Sequence, residues 1–356
     1  MNNNKKIMLT GGGTAGSVTP LLVIAQRLQA EGGFEFLFVG TKNGIEKEMV
    51  AGAKIFYTPI KYGKLRRYFS IKNFSDLFKI FIAFWQSIFL IIKYQPDLIL
   101  SAGSFVSVPV IWAGWVLRRK ILIHQQDIRP GLANKLMAPF ADVITVTFEK
   151  SLLDYGEKAI WTGNPSQLSF KNNLLSTEEI KNIFKLKNNL PIILITGGGT
   201  GAEAINKLVA ESLDELTKFS QIIHTTGKGK KIFSETENYH QFEFLPIEEM
   251  TEALRISSLV VSRAGLGTLT EIASAKKPVI IIPMPDSHQE DNANYFAEKG
   301  GVIYLDQKKL NKKNFVDNIK SILTDQALKD KLSRNFSLVF KQNAEEEITK
   351  VIKKII

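Results

Sequence analysis

The sequence predicts an α/β fold built from two Rossmann-like halves, and three observations carry that prediction. Residues Lys6–Ala25 (KIMLTGGGTAGSVTPLLVIA) pass from a β-rich segment through Gly11, Gly12, Gly13 and Gly16 into Pro20 and an apolar run at helical spacing. Such a strand, glycine-rich turn and helix start is the unit whose backbone N–H groups can face an anion. A second copy follows, in which Ile192–Thr196 leads into Gly197, Gly198, Gly199, Thr200 and Gly201 and again into a helical run. Short β-rich and longer helical runs alternate throughout, the βαβ signature of parallel sheets. A length of 356 residues fits two domains.

In the first half, Leu21–Ala30 reads as a helix ending at Gly32-Gly33, Phe34–Val39 as a second strand, Gly40–Met49 as a turn and helix, and Ile55–Ile60 as a third strand. Lys61, Lys64, Arg66 and Arg67 then precede Tyr68 and Phe69, and Leu77–Ile92 (LFKIFIAFWQSIFLII) is almost wholly apolar. With Lys79, Gln86 and Lys93 in or beside it, this run falls short of the roughly 20 residues a membrane span needs. Two readings remain: a buried crossover helix, favoured because such helices are apolar all round, or an apolar patch rimmed by positive charge on an anionic membrane surface. Pro96–Ser101, Ile121–Ile123 and Val143–Phe148 are further strands, with a helix over Val108–Leu117. Ligands of open parallel sheets sit beyond the carboxyl ends of the strands, which places Ser17, Phe105 and His124–Asp127 on one rim. Trp161–Pro165 reads as a turn-rich exit and the polar run Lys171–Asn189 as a connector, with a domain boundary near residue 165.

The second half repeats the pattern, with strands at 192–196, 221–224, 242–245, 259–262 and 279–282 and an amphipathic helical tail from Asn311 to Ile356. A nucleoside diphosphate needs donors or a cation at its phosphates and acceptors at its ribose hydroxyls. The glycine loop 197–201, Arg263 with Ala264–Thr268, and Glu271 offer these on strand ends.

Other chemistries lose ground. The chain has no cysteine, so it has no disulfides or cysteine-held metal. Neither glycine turn fits the phosphoryl-transfer pattern GxxxxGK[ST], and no His/Cys or Asp-x-Asp cluster suggests a metal. Gly11, Gly13 and Gly16 have dinucleotide spacing, but Val39-Gly40-Thr41 stands where that reading wants an acid. MNNNKKIMLT lacks a signal-peptide layout, so a cytoplasmic protein is expected. The net charge of +11 points to an anionic partner or to a Lys-rich composition alone. Nucleic acid is not expected, since basic residues and aromatics interleave only over 61–69.

Taken in order, GGGTAGSVTP, SAGSFVSVP, HQQDIRPGLANK, GNPS, ITGGGTGA, HTTGKG, FLPIEEM, SRAGLGTLTEIA and HQEDNA resemble the MurG family over about residues 6–305. The resemblance implies a GT-B fold, two Rossmann-like domains with a cleft between them. It divides the chain into an acceptor- and membrane-facing domain (1–164), with a C-terminal helix at about 340–356 packing back on it, and a UDP-sugar domain (165–339). The activity implied is inverting transfer of GlcNAc from UDP-GlcNAc to the muramyl sugar of the polyprenyl-linked precursor lipid I, at the cytoplasmic face of an anionic membrane, without cofactor or metal.

Carried residue by residue, the resemblance assigns the donor to Thr14, Gly16, Asn164, Gly199, Thr200, Leu245, Arg263, Gly265, Leu266, Thr268, Glu271, Gln289 and Asn292, with Glu271 on the ribose, Leu245 at the uracil and Gln289 and Asn292 in the donor-sugar segment. It assigns the acceptor diphosphate to Gly12, Gly13, Thr14, Ser104 and Phe105. This chain departs from the pattern in having Ser17 where relatives usually carry His, Phe105 where they carry an aromatic hydroxyl, and Asp127 in place of an amide. A serine with no partner to lower its pKa is a poor base, so Asp127 or His124 is expected to deprotonate the acceptor hydroxyl. The alternatives are a GT-B transferase acting on another lipid, such as diacylglycerol, and an inactive UDP-sugar-binding homologue.

Overall fold

Each half of the chain folds around a parallel sheet whose central strands are buried on both faces. Ile7 and Leu9 enter one core with Leu98, Leu100 and Leu122, while Met8 enters the opposite core with Val39, Ile99 and Ile121. Strand side chains alternate faces, and burial on both faces requires a helical layer on each side. The computed structural model describes residues 4–63, 72–170, 175–187, 189–199, 201–232 and 236–356. Lys64, Arg66, Arg67, Tyr68, Phe69 and Thr200, all singled out in the sequence, lie outside the described residues.

The first unit, Met1–Ser166 with Lys341–Ile356, contains β1 (Lys5–Thr10), α1 (Thr19–Glu31), β2 (Phe34–Thr41), α2 (Glu46–Gly52), β3 (Phe56–Ile60), α3 (Lys72–Tyr94), β4 (Leu98–Ser101), α4 (Ser107–Val116), β5 (Lys120–Gln125), α5 (Leu132–Met137), β6 (Val143–Val146) and β7 (Ala159–Trp161). The second unit, Gln167–Phe340, contains α6 (Thr177–Phe184), β8 (Ile192–Thr196), α7 (Glu203–Leu216), β9 (Gln221–Thr225), β10 (Tyr239–Phe242), α8 (Ile247–Ile256), β11 (Leu259–Ser262), α9 (Leu266–Ser274), β12 (Val279–Ile281), α10 (His288–Glu298), β13 (Ile303–Tyr304), α11 (Lys312–Thr324) and α12 (Gln326–Val339). The last helix, α13 (Ala344–Ile355), belongs to the first unit. Its Ile348 and Ile352 are buried in the core that contains Leu21 and Ile24 of α1, and Arg27–Glu346 and Lys353–Glu31 ion pairs flank them.

The strand orders are β3-β2-β1-β4-β5-β6-β7 and β10-β9-β8-β11-β12-β13, and every pairing between these strands is parallel. Both sheets therefore change direction next to the strand that precedes a glycine loop, between β1 and β4 and between β8 and β11. Such switch points are where open α/β sheets bind ligands.

Three local expectations need correction. The strand expected at 242–245 lies at Tyr239–Phe242, leaving Phe244 exposed and Leu245 buried ahead of α8. Trp161, read as part of an exit turn, closes β7 and pairs with Val146. The apolar run at 77–92 is neither too short nor a buried crossover. It lies in the 23-residue α3, whose stretch Asp76–Tyr94 is long and apolar enough to cross a membrane by length and composition, with 22% of it buried. Ile80, Ala83, Ser87 and Ile91 face inward, while Phe78, Phe81, Trp85, Phe89 and Ile92 form an exposed stripe at helical spacing. Because both faces are apolar, the sequence alone resembled that of an enclosed helix.

Candidate active site

In the second unit, strand register gathers the site. Thr225, Thr196, Ser262 and Ile281 end neighbouring strands side by side, so the segments after them share one rim at strand spacings of about 4.8 Å. Thr196 Oγ1 accepts the Gly198 N–H at 3.2 Å and the Thr225 hydroxyl at 2.8 Å, which fixes the start of the glycine loop. Gly201, with φ +70°, lies against Thr226; a Cβ there would fall 2.1 Å from the Thr226 carbonyl oxygen. Gly199 is exposed on this loop.

Beyond β11, Arg263 donates through one guanidinium nitrogen to the Ile282 and Pro283 carbonyls, both at 2.9 Å. A guanidinium has five donors, so these bonds leave others for an anion. Gly265 caps α9 with open space where a side chain would stand. Leu266 is buried beneath it, and Thr268 is half-buried in the first turn. From α10, the fully buried Asn292 donates to the Ala264 carbonyl at 3.1 Å and pins the loop, and Gln289 accepts the Met284 N–H at 3.0 Å. Glu271, one turn further along α9, accepts the N–H groups of Gln167 (2.8 Å) and Leu168 (3.3 Å). Leu245 lies beyond β10 at the start of α8, which packs against α9.

The expected donor residues do not all fall in this unit. Thr14, Gly16 and Asn164 belong to the first, where Asn164 is buried and its side-chain oxygen lies 2.8 Å from His124 Nε2. The other ring nitrogen of His124 is 3.0 Å from Thr145 Oγ1. Burial pushes His124 down to about 4, against the opposing pull of the Asn164 hydrogen bond. With no solvent exposure and both ring nitrogens engaged, His124 links β5 to the Asn164 turn. Asp127, two residues past the end of β5, is half-buried at the rim.

The loop after β4 is built to bend. Gly103 and Ser104 have φ of +96° and +103°, a conformation costly for serine. Ser107 Oγ holds the loop to β1, 3.0 Å from the Thr10 carbonyl and 3.1 Å from that of Gly103. Phe105 packs partly against the core rather than standing free.

In the first glycine loop, Ser17 Oγ accepts the Gly12 N–H at 3.2 Å and lies 3.1 Å from the Gly12 carbonyl, so its hydroxyl stitches the loop together. The Gly13 N–H goes to Glu46 at 3.2 Å. The N–H groups of Gly12 and Gly13, assigned to the acceptor diphosphate, are thus both engaged within the unit, by Ser17 and Glu46. Two features escaped the sequence reading, Glu46 and the 167–168 backbone on Glu271. The acid following Gly40 and Gly44 was the available signal for Glu46; a backbone contact across more than a hundred residues leaves none. Among the described residues, no three His, Cys, Asp or Glu side chains stand together as a metal site.

Comparison with known proteins adds identity to this geometry. Residues 7–146 match the glycosyltransferase family 28 N-terminal domain and residues 192–351 its C-terminal domain. A Clostridium kluyveri protein named UDP-N-acetylglucosamine--N-acetylmuramyl-(pentapeptide) pyrophosphoryl-undecaprenol N-acetylglucosamine transferase is 39% identical over 89% of this chain and 91% of its own. The Clostridium tetani protein of the same name is 36% identical over 98% of both chains. Among solved structures, Acinetobacter baumannii MurG superposes with a TM-score of 0.74 at 22% identity, covering 98% of this chain and 99% of its own. A UDP-GlcNAc 2-epimerase from Neisseria meningitidis, bound to UDP-GlcNAc, also reaches 0.74, at 15% identity over 98% of this chain and 100% of its own. Since one fold carries both names, the superpositions establish architecture and not chemistry. The sequence relatives and the two domain matches decide the family: the chain belongs to glycosyltransferase family 28 and is a glycosyltransferase of the MurG family.

Proposed function

We propose that this enzyme transfers N-acetylglucosamine from UDP-GlcNAc to the muramyl sugar of a polyprenyl-pyrophosphate-linked muramyl pentapeptide. The observation that carries the reading is the second-unit switch point, where Arg263, the α9 N-terminus and Glu271 follow β11 in a chain close in sequence to transferases of that name. Diphosphate oxygens meet Arg263 and the first N–H groups of α9, whose dipole favours an anion. Ribose hydroxyls meet Glu271. Leu245, Leu266 and Thr268 shape the nucleoside end, and Gln289 and Asn292 hold the segment beside the donor sugar.

Asp127 takes the proton from the acceptor hydroxyl. The hydroxyl oxygen of the acceptor bonds to the anomeric carbon as the bond to the diphosphate oxygen breaks, giving inversion to a β-linkage and releasing UDP. The charge gathering on UDP is offset by Arg263 and the helix N–H groups, donors already in place before reaction. His124 contributes by holding Asn164. Thr14 and Gly16, in the turn ahead of α1, and Ser104 line the acceptor half.

The acceptor's lipid chain calls for a membrane surface, and the first unit presents a face suited to one. Phe81, Trp85 and Phe89 border an open apolar groove of about 540 Å³ with Ile60 and Leu90. Trp115 and Val116 are exposed at the end of α4, followed by exposed Arg118 and Lys120. Aromatic and aliphatic side chains beside cations suit the interface of an anionic bilayer, and the proposed location is the cytoplasmic face of the cell membrane.

Acceptor choice is tested by offering purified enzyme UDP-GlcNAc with either the muramyl lipid or diacylglycerol. Glycosylation of the muramyl lipid alone supports the reading. Turnover of diacylglycerol alone replaces it with the other lipid-acceptor activity, and donor binding without transfer to either replaces it with a UDP-sugar-binding protein.

A further inference from the structure

The side chain of Glu46 is completely buried at the start of α2, and nothing in the donor or acceptor chemistry above uses it. One carboxylate oxygen accepts the Thr41 N–H at 2.8 Å and the Thr41 hydroxyl. The other accepts the N–H of Gly13 in the first glycine loop at 3.2 Å. Among the described residues no lysine, arginine or histidine forms an ion pair with it. Burying a carboxylate without a counter-charge is costly even when it is hydrogen-bonded, so a side chain held this way is expected to have a role.

The backbone around it is shaped to accept it. A Cβ on Gly12 would stand 2.5 Å from a Glu46 oxygen, one on Gly44 closer still, and one on Gly40 3.1 Å from the Glu46 Cγ. Glycines from two separate stretches thus enclose one carboxylate. Gly12 and Gly13 lie at φ +155° and +81°, conformations that L side chains disfavour.

We propose that Glu46 is a positioning residue for the acceptor half-site: by holding the Gly13 N–H inward it sets the path of the glycine loop, and with it the direction in which Thr14 and Gly16 meet the acceptor's anionic group. This rests on the loop being the acceptor's, as proposed above. Glu46 does not touch substrate. It acts as an internal anion, occupying one loop donor permanently so that the loop keeps one conformation whether or not a ligand is bound.

Glu46→Gln is the discriminating variant. It keeps the shape and volume of the side chain; with its oxygen toward Thr41, its NH₂ faces the Gly13 N–H, donor against donor. The loop bond is lost while the cage stays filled. The measurements are KM for the muramyl lipid, KM for UDP-GlcNAc, and the melting temperature. The proposal expects the acceptor KM to rise about tenfold, the loss typical of a hydrogen bond to a charged group, with the donor KM and melting temperature close to wild type. Glu46→Asp, which keeps the charge but is too short to reach both partners, should move the acceptor KM the same way and serves if Glu46→Gln does not fold.

An unchanged acceptor KM overturns the proposal. So does a lowered one, because it would mean that the buried charge merely repels the ligand. A parallel rise in both KM values with a fall in melting temperature overturns it too, leaving Glu46 a fold element. If wild-type enzyme turns over no muramyl lipid, the acceptor reading fails first and takes this proposal with it; an active wild type with an indifferent Glu46→Gln removes this proposal alone.

Discussion

Acidification from about pH 7 to about pH 5 is expected to cost each unit about 2 kcal/mol of stability through one buried histidine. His124 in the first unit is pushed down to about 4, and His224 in the second to about 3, in both cases by burial. His224 is fully buried in β9, with Nδ1 2.9 Å from the Tyr239 hydroxyl. In the unfolded chain each titrates near 6.5. Below that value the unfolded state takes up a proton that the folded state refuses, so stability falls as pH drops, until the folded pKa is reached. Each pH unit in that window is worth about 1.4 kcal/mol per histidine, and the first half-unit of the range contributes little. Urea unfolding at a series of pH values, followed for wild type, His124→Gln and His224→Phe, gives the slopes. The readout is the slope and not the absolute stability, since His224→Phe also strips a partner from Tyr239. Each variant should flatten the acid dependence of its own unit. A slope unchanged by His224→Phe would refute the reasoning.

Other outcomes follow from the same geometry. Asp127→Asn should lower kcat by about 10²–10⁴-fold in a folded protein if Asp127 is the base; full turnover by this variant would place the base elsewhere. Glu271→Gln should raise KM for UDP-GlcNAc by about tenfold or more while sparing the acceptor KM, and an unchanged donor KM would remove Glu271 from the ribose. Replacing Phe81, Trp85 and Phe89 together by serine should reduce co-sedimentation with anionic vesicles without a lower melting temperature, because these side chains are already exposed; equal partitioning would exclude the α3 face as the contact.

The architecture was legible because parallel strands announce themselves: Ile192–Ile195 is apolar throughout, and glycines follow directly after Thr196. The residues of the second-unit rim were legible as neighbours for the same reason, since they follow strand ends in a sheet whose register is parallel. Less was legible where a property depends on what lies across the fold. The choice between a buried and an exposed α3 could not be made because its inner and outer faces have the same composition. The engagement of His124 depends on Thr145 and Asn164, which are distant in sequence. The sequence lacked an acid at Val39-Gly40-Thr41, yet the fold delivers one to the Thr41 N–H from α2, through Glu46. Side chains that satisfy backbone groups over such distances leave no periodic trace.

The central claim is inverting sugar transfer between a UDP-sugar and a muramyl lipid, and the configuration of the product tests it most directly. Purified enzyme with UDP-GlcNAc carrying ¹³C at the anomeric carbon and the muramyl lipid should release UDP in step with a disaccharide-lipid whose new linkage is β. An α-linked product would contradict the single-displacement account, and UDP release with free GlcNAc and unchanged acceptor would contradict transfer itself.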